Sequence, residues 1–129
     1  PATEYEDLAN GFLERIGQGK NEEAVDFLYR TNPYRDKVQD ALEQVKSGLA
    51  STQATAGDYR GSTLVLKKSM GDRLIYMYFL VVYDRQPLKF EFEFYRSGDK
   101  WVTQMFWFSD KITDDLRDAA MFDLANQLK

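Results

Sequence analysis

Apolar residues recur at three- and four-residue spacing through the first fifty positions and then switch to two-residue alternation, which predicts helices followed by strands. Leu8, Phe12, Leu13 and Ile16 form the first helical stripe, opened by a Thr3–Glu6 capping box and stopped by Gly17 and Gly19. Asn21 is placed to cap a second, shorter helix carrying Ala24, Val25, Phe27 and Leu28. Asn32 and Pro33 read as the cap and first-turn proline of a third, whose stripe is Val38, Ala41, Leu42, Val45 and Leu49. The small and polar residues from Leu49 to Gly57 lack periodicity and predict a loop.

Four β-rich runs follow, at residues 59–69, 73–83, 88–96 and 100–108, and their short connections require an antiparallel meander. A terminal helix is predicted with Thr113 as cap, Asp114 and Asp115 in its first turn, and Leu116, Ala120, Leu124 and Leu128 on one stripe. Two-residue loops at Gly71-Asp72, Arg85-Gln86 and Gly98-Asp99 would set the strand register. One face then gathers Leu64, Leu66, Ile75, Met77, Phe79, Val81, Phe90, Phe92, Phe94, Met105 and Trp107, and should carry the helices. The other gathers Lys67, Tyr76, Tyr78, Lys89, Glu91, Glu93, Tyr95, Phe106 and Phe108 among others, and predicts a partly covered surface. Either the terminal helix or a second copy in a homodimer should lie on it, around Tyr76, Tyr78, Tyr95, Phe106 and Phe108.

The expected architecture is thus a single α+β domain over residues 1–129, with N-terminal helices on a curved four-stranded antiparallel meander and a C-terminal helix. Nine Phe and eight Tyr are many for this length, so aromatics should dominate the core and any binding surface. The net charge of −4 without a basic cluster argues against a nucleic-acid partner. The longest apolar run, Phe79 to Val82, is too short to span a membrane. The sequence opens on Pro1 rather than Met, and removal of an export signal is one reading of that. An exported, periplasmic or extracellular location and a cytosolic one are both compatible with the absence of cysteine.

The helices-first order, the Gly19–Ala24 passage into the second helix and the Gly98–Trp101 turn into the last strand resemble the NTF2-like (cystatin-like α+β) superfamily, from Tyr5 to Phe108. The resemblance implies a cone between helices and inner sheet face. Enzymes of that superfamily place an Asp, His or Tyr there, while other members bind ligands or partners without catalysis.

Cysteine and histidine are both absent, which removes thiolate nucleophiles, Cys/His metal sites and imidazole proton transfer. No nucleotide-cradling glycine motif and no serine-hydrolase elbow occurs. The predicted inner face holds no carboxylate, so no catalytic residue is assigned there, and no cofactor or metal is implied. Candidate ligand-contacting residues are Tyr29 and Tyr34 at the mouth of the cone, and Trp101, Thr103, Met105 and Trp107 on the last strand, where apolar surface meets one hydroxyl. The expected function is therefore binding of a small apolar ligand or a protein partner. The alternative is a small isomerase or dehydratase using Tyr34 and Asp26 from the helical layer. Glu91 and Glu93 lie on one strand face without a sugar-sized cleft between opposed groups, which favours ion pairing over glycoside hydrolysis. Asp114, Asp115 and Asp118 are accounted for by the dipole of the terminal helix rather than by a cation loop.

Overall fold

A computed structural model describes residues 4–129; Thr3 of the capping box lies outside them. Helix α1 (Glu4–Gly17) buries the expected stripe of Leu8, Phe12, Leu13 and Ile16 together with Tyr5 and Ala9, and ends where Gly19 takes a positive φ of 77°. Helix α2 (Asn21–Leu28) buries Ala24, Val25 and Leu28. Its cap residue is Lys20, and the Asn21 amide instead donates to Gln53 Oε1 at 2.7 Å, tying α2 to the next helix.

The third helix begins later and ends later than its sequence suggests. Asn32 Oδ1 accepts the Tyr34 N–H at 2.8 Å, so Asn32 and Pro33 build a turn, and a 3-10 turn at Arg35–Val38 precedes α3 (Gln39–Ala56). The segment expected to be a loop is the last two turns of α3. Alanines and glutamine favour helix without supplying an apolar stripe, Leu49 and Ala56 are buried, and Gly57 at φ 92° stops the helix. Arg85 closes its C-terminus: its guanidinium donates to the Ala54 and Thr55 carbonyls and its backbone N–H to that of Ala56.

The strands β1 (Tyr59–Met70), β2 (Leu74–Tyr83), β3 (Pro87–Tyr95) and β4 (Val102–Ser109) form an antiparallel meander in the order β1-β2-β3-β4. The two central strands alternate as expected, burying Ile75, Met77, Phe79 and Val81 on β2 and Leu88, Phe90, Phe92 and Phe94 on β3. Their turn is longer than two residues, so Phe79 faces Phe90, a shift of two positions that leaves every side chain on its expected face.

The edge strands differ, because each contains a bulge. On β4, Phe94 pairs with Thr103 but Glu93 pairs with Met105, so Gln104 is the extra residue and everything after it changes face. Phe106 and Phe108 therefore belong to the inner side, with Phe106 5% exposed, whereas Met105 and Trp107 lie on the outer side, with Trp107 57% exposed. On β1 there are two extra residues, Arg60 at its start and Val65, and the second sets the faces of the rest of the strand. Leu64 pairs with Phe79 as expected, but Leu66 pairs with Tyr78 on the outer face and Lys67 with Met77 on the inner one, its ammonium 4.9 Å from the Tyr5 ring centroid.

Between helices and sheet the core is aromatic: Phe12 meets Phe106, Phe92 and Phe90, and Tyr5 meets Phe94 and Trp101. Among the described residues Thr103 is the buried polar side chain, and its hydroxyl donates to the Leu28 carbonyl at 2.7 Å. Helix α4 (Thr113–Gln127) starts one residue after Ile112, its cap residue, so Thr113 is helical rather than capping. Beyond its first turn it lies exposed, so it covers the outer face only around Tyr78 and Lys89.

Candidate functional site

The space left between α3 and the free edge of β4 is a cleft of about 620 Å³. Its helical wall is Val38, Ala41, Leu42, Gln44, Val45 and Gly48, and Tyr29 and Asn32 close one end. The opposite wall is five consecutive residues of β4, Gln104 to Phe108. The 3.6-residue period explains the helical side: Leu42, Val45 and Gly48 fall on one stripe, and the stripe is longer than the core it covers. Gly48 fits because a Cβ there would stand 2.9 Å from the Phe108 ring.

None of the lining residues carries a charge, and none is Ser, Thr or Cys. The chemically distinctive group is Tyr29. Burial pushes its phenol up to about 12, partly offset by the neighbouring Phe106 backbone. The hydroxyl therefore stays protonated at neutral pH. A cleft of this kind can hold apolar groups and offer hydrogen bonds, but it has no base to take a proton.

Of the six residues expected to contact a ligand, Tyr29, Met105 and Trp107 line this cleft, and Trp107 does so from the outer side of β4. Thr103 and Trp101 instead fasten the helices: Trp101 packs on Tyr5 at 4.9 Å beneath the Arg96 guanidinium, and its carbonyl accepts from Thr31. Tyr34 is 66% exposed, with Lys37 over its ring, outside the cleft. Asp26 is also exposed and pairs with Lys46 at 2.8 Å. Of the cleft residues that the sequence did not single out as a site, Leu42 and Val45 read as ordinary helix stripe, and Gly48 carries no signal of its own.

The outer face carries a second group of titratable side chains. Tyr78 Oη and Lys89 Nζ both donate to Asp115 Oδ2 at 2.9 Å, Tyr76 donates to Glu91 at 2.7 Å, and Lys89 lies 3.9 Å from Glu91. Ion pairing is thus what Glu91 does, though with Lys89 of its own strand; Lys67 has moved to the inner side. Burial first, and the carboxylates second, push both tyrosines above the usual phenol range. This arrangement anchors α4 by its first turn.

The anchor has a defined pH range. The Lys89 hydrogen bond foremost, then Tyr78, holds the Asp115 carboxyl below its ordinary 3.8, and Asp115 raises Lys89 above its ordinary 10.5. A lowered carboxyl contributes stability present above the unfolded-state value and lost as pH falls through the folded one; a raised ammonium contributes stability present below its unfolded-state value and lost as pH rises through the folded one. The anchor is whole between those limits. Acidification through the lowered Asp115 value, or Asp115→Asn at neutral pH, is expected to lower amide order parameters along residues 113–127, and with the substitution the core melting temperature should barely move. Unchanged order parameters under both treatments would show that α4 is held by something else.

No protein-family model and no curated protein sequence matches the chain. Among solved structures it is similar to a protein named as an NTF2-like transpeptidase from Campylobacter jejuni, with a TM-score of 0.59 over 78% of this chain and 97% of that one. The fold is NTF2-like. At 17% identity the likeness concerns architecture alone, and the helices, the four-stranded meander and the appended α4 are compatible with it. In this NTF2-like domain the interior under the sheet is filled by phenylalanine, and the open space lies at the β4 edge.

Proposed function

We propose that this NTF2-like domain is a non-catalytic binding module whose cleft between α3 and β4 takes an apolar ligand or an apolar part of a protein partner. The observation that carries the reading is the lining itself: about 620 Å³ bounded by aliphatic, aromatic and neutral amide groups, with the Tyr29 hydroxyl among them. Transpeptidation, the activity in the neighbour's name, needs a nucleophile and a base, and no lining residue supplies the serine, cysteine, lysine or carboxylate chemistry for it. The Tyr34–Asp26 acid–base alternative draws no support from two exposed side chains, one of them neutralised by Lys46.

Trp107 reports on the cleft directly. Titration with an apolar fluorophore such as 1-anilinonaphthalene-8-sulfonate should quench tryptophan emission saturably, and Ala41→Trp, which adds bulk on the exposed helical wall of the cleft, should weaken binding by about tenfold or more with the circular dichroism unchanged. Equal binding by both proteins would refute the site.

The outer face supports a second, separate part of the proposal, self-association. Leu66, Val82, Tyr95 and Trp107 are exposed there, and α4 leaves them uncovered. Of the aromatics first assigned to this face, Tyr76, Tyr78 and Tyr95 remain and Phe106 and Phe108 do not. Sedimentation velocity over a concentration series should show a dimer that Leu66→Glu weakens; a monomer at every concentration would remove this part.

A further inference from the structure

We infer that the occupant of the α3–β4 cleft is an extended, uncharged peptide segment that adds to β4 as a fifth strand; the inference rests on the cleft being a binding site. The first ground is the kind of wall β4 presents. A pocket above one sheet face is lined by every second residue of a strand, whereas here Gln104 to Phe108 all contribute, so the cleft runs along the strand's backbone edge. β4 is the last strand of the sheet, and among the described residues no strand pairs with that edge.

The second ground is the direction of the backbone groups. Upstream of the bulge, the Trp101 and Thr103 carbonyls turn away from β3 and are taken by Thr31 Oγ1 at 2.7 Å and Asn32 Nδ2 at 3.1 Å. Downstream, Phe92 and Phe90 follow Phe94 at two-residue steps along β3, so the backbone of Phe106 turns the same way, toward the Tyr29 phenol. Antiparallel pairing alternates, so Phe92–Phe106 and Phe90–Phe108 are the pairs not joined by hydrogen bonds, and Phe108 points its N–H and carbonyl, and Phe106 its carbonyl, into the cleft. An extended chain supplies the complementary donors and acceptors at that spacing.

The third ground is charge, and the contrast between the two sheet edges. The other edge strand, β1, carries Lys67 and Lys68 and a bulge in its middle, devices that discourage a further strand. On β4 the bulge comes early, at Gln104, and the stretch Met105 to Ser109 is regular and bears no charge. Side chains of an added strand would alternate between Leu42 and Val45 on one side and Trp107 on the other, both apolar, which selects a segment without charged residues.

The test uses the whole domain and a terminally blocked pentapeptide, acetyl-Thr-Val-Phe-Val-Thr-amide, with single N-methyl variants at each position. Binding is read by Trp107 fluorescence and by amide spectra of the labelled domain. The expected result is saturable binding with slowed exchange of the Phe108 amide, a loss of about tenfold or more for N-methylation at alternate positions, and little change at those between. Equal effects of all the methylations, or no peptide binding while the fluorophore still binds and Ala41→Trp still blocks it, would overturn the strand-addition inference and leave the apolar cleft standing. Failure of both peptide and fluorophore would overturn the cleft itself.

Discussion

Replacing Phe106 with aspartate is expected to leave the chain unfolded at room temperature, whereas the same replacement one residue later, at Trp107, is expected to leave a folded domain of nearly unchanged stability. Phe106 is 5% exposed, with its ring 4.7 Å from that of Phe12, 5.2 Å from Phe92 and 5.5 Å from Phe90. Losing a buried phenylalanine costs about 3–5 kcal/mol. The carboxylate would have to be desolvated among rings that offer no hydrogen bond, or take up a proton, which adds several kcal/mol. Together these exceed much of the roughly 5–15 kcal/mol that holds a typical domain. Trp107, 57% exposed, keeps its aspartate in water. Far-UV circular dichroism and urea titration of the two variants decide the matter. The reverse outcome would mean that β4 lacks the Gln104 bulge and follows plain alternation from its hairpin.

That pair of variants also marks the boundary of what the amino-acid pattern could reveal. Helices α1 and α2, the meander and the faces of β2 and β3 are legible because each residue there obeys a simple period and the central strands are constrained from both sides. A strand with neighbours on each side cannot slip by one without exposing its phenylalanines. An edge strand can. On β1 and β4 a single extra residue reverses the faces beyond it, and no local signal in Thr-Gln-Met or Leu-Val-Leu announces it, since both registers bury an apolar set. Met105 and Trp107 are as hydrophobic as Phe106 and Phe108. What distinguishes them is that Phe106 meets Phe12 and Phe108 meets Phe90 on the core side.

The end of α3 was hidden for the opposite reason. Its last two turns have helix-favouring residues but little to bury, and what fixes them is the distant Arg85, which arrives from the β2–β3 turn to bond the final carbonyls. Of the six residues singled out from the sequence, Tyr29, Met105 and Trp107 line the cleft, but Met105 and Trp107 do so from the outer side of β4, not from the inner face to which plain alternation assigns them. The location of the cleft was not legible, because the cleft exists through the combination of an edge strand that flips at Gln104 and a helix that holds Gly48 against Phe108.

Phe12→Ala is expected to destabilise the domain by about 3–5 kcal/mol, the largest effect of any single truncation in α1. Phe12 has no exposed surface, and its ring meets Phe106 at 4.7 Å, Phe92 at 5.5 Å and Phe90 at 5.8 Å in edge-on or tilted geometry. Each such pair adds about 0.5–1.5 kcal/mol beyond area burial, although the pairs share one ring and do not sum. The surrounding rings cannot close the void, since Phe90 and Phe92 are held by the ladder to β2 and Phe106 by the ladder to β3. Phe122→Ala is the matched control. The same side chain is lost from α4, where it is 68% exposed, and the expected change is within about 0.5 kcal/mol. Urea unfolding at constant m-value gives both numbers. A Phe12→Ala cost no greater than that of Phe122→Ala would mean that α1 does not seat its ring among the strands. The cleft would then lose its footing as well, because Phe106, one of its walls, is positioned by that same ring.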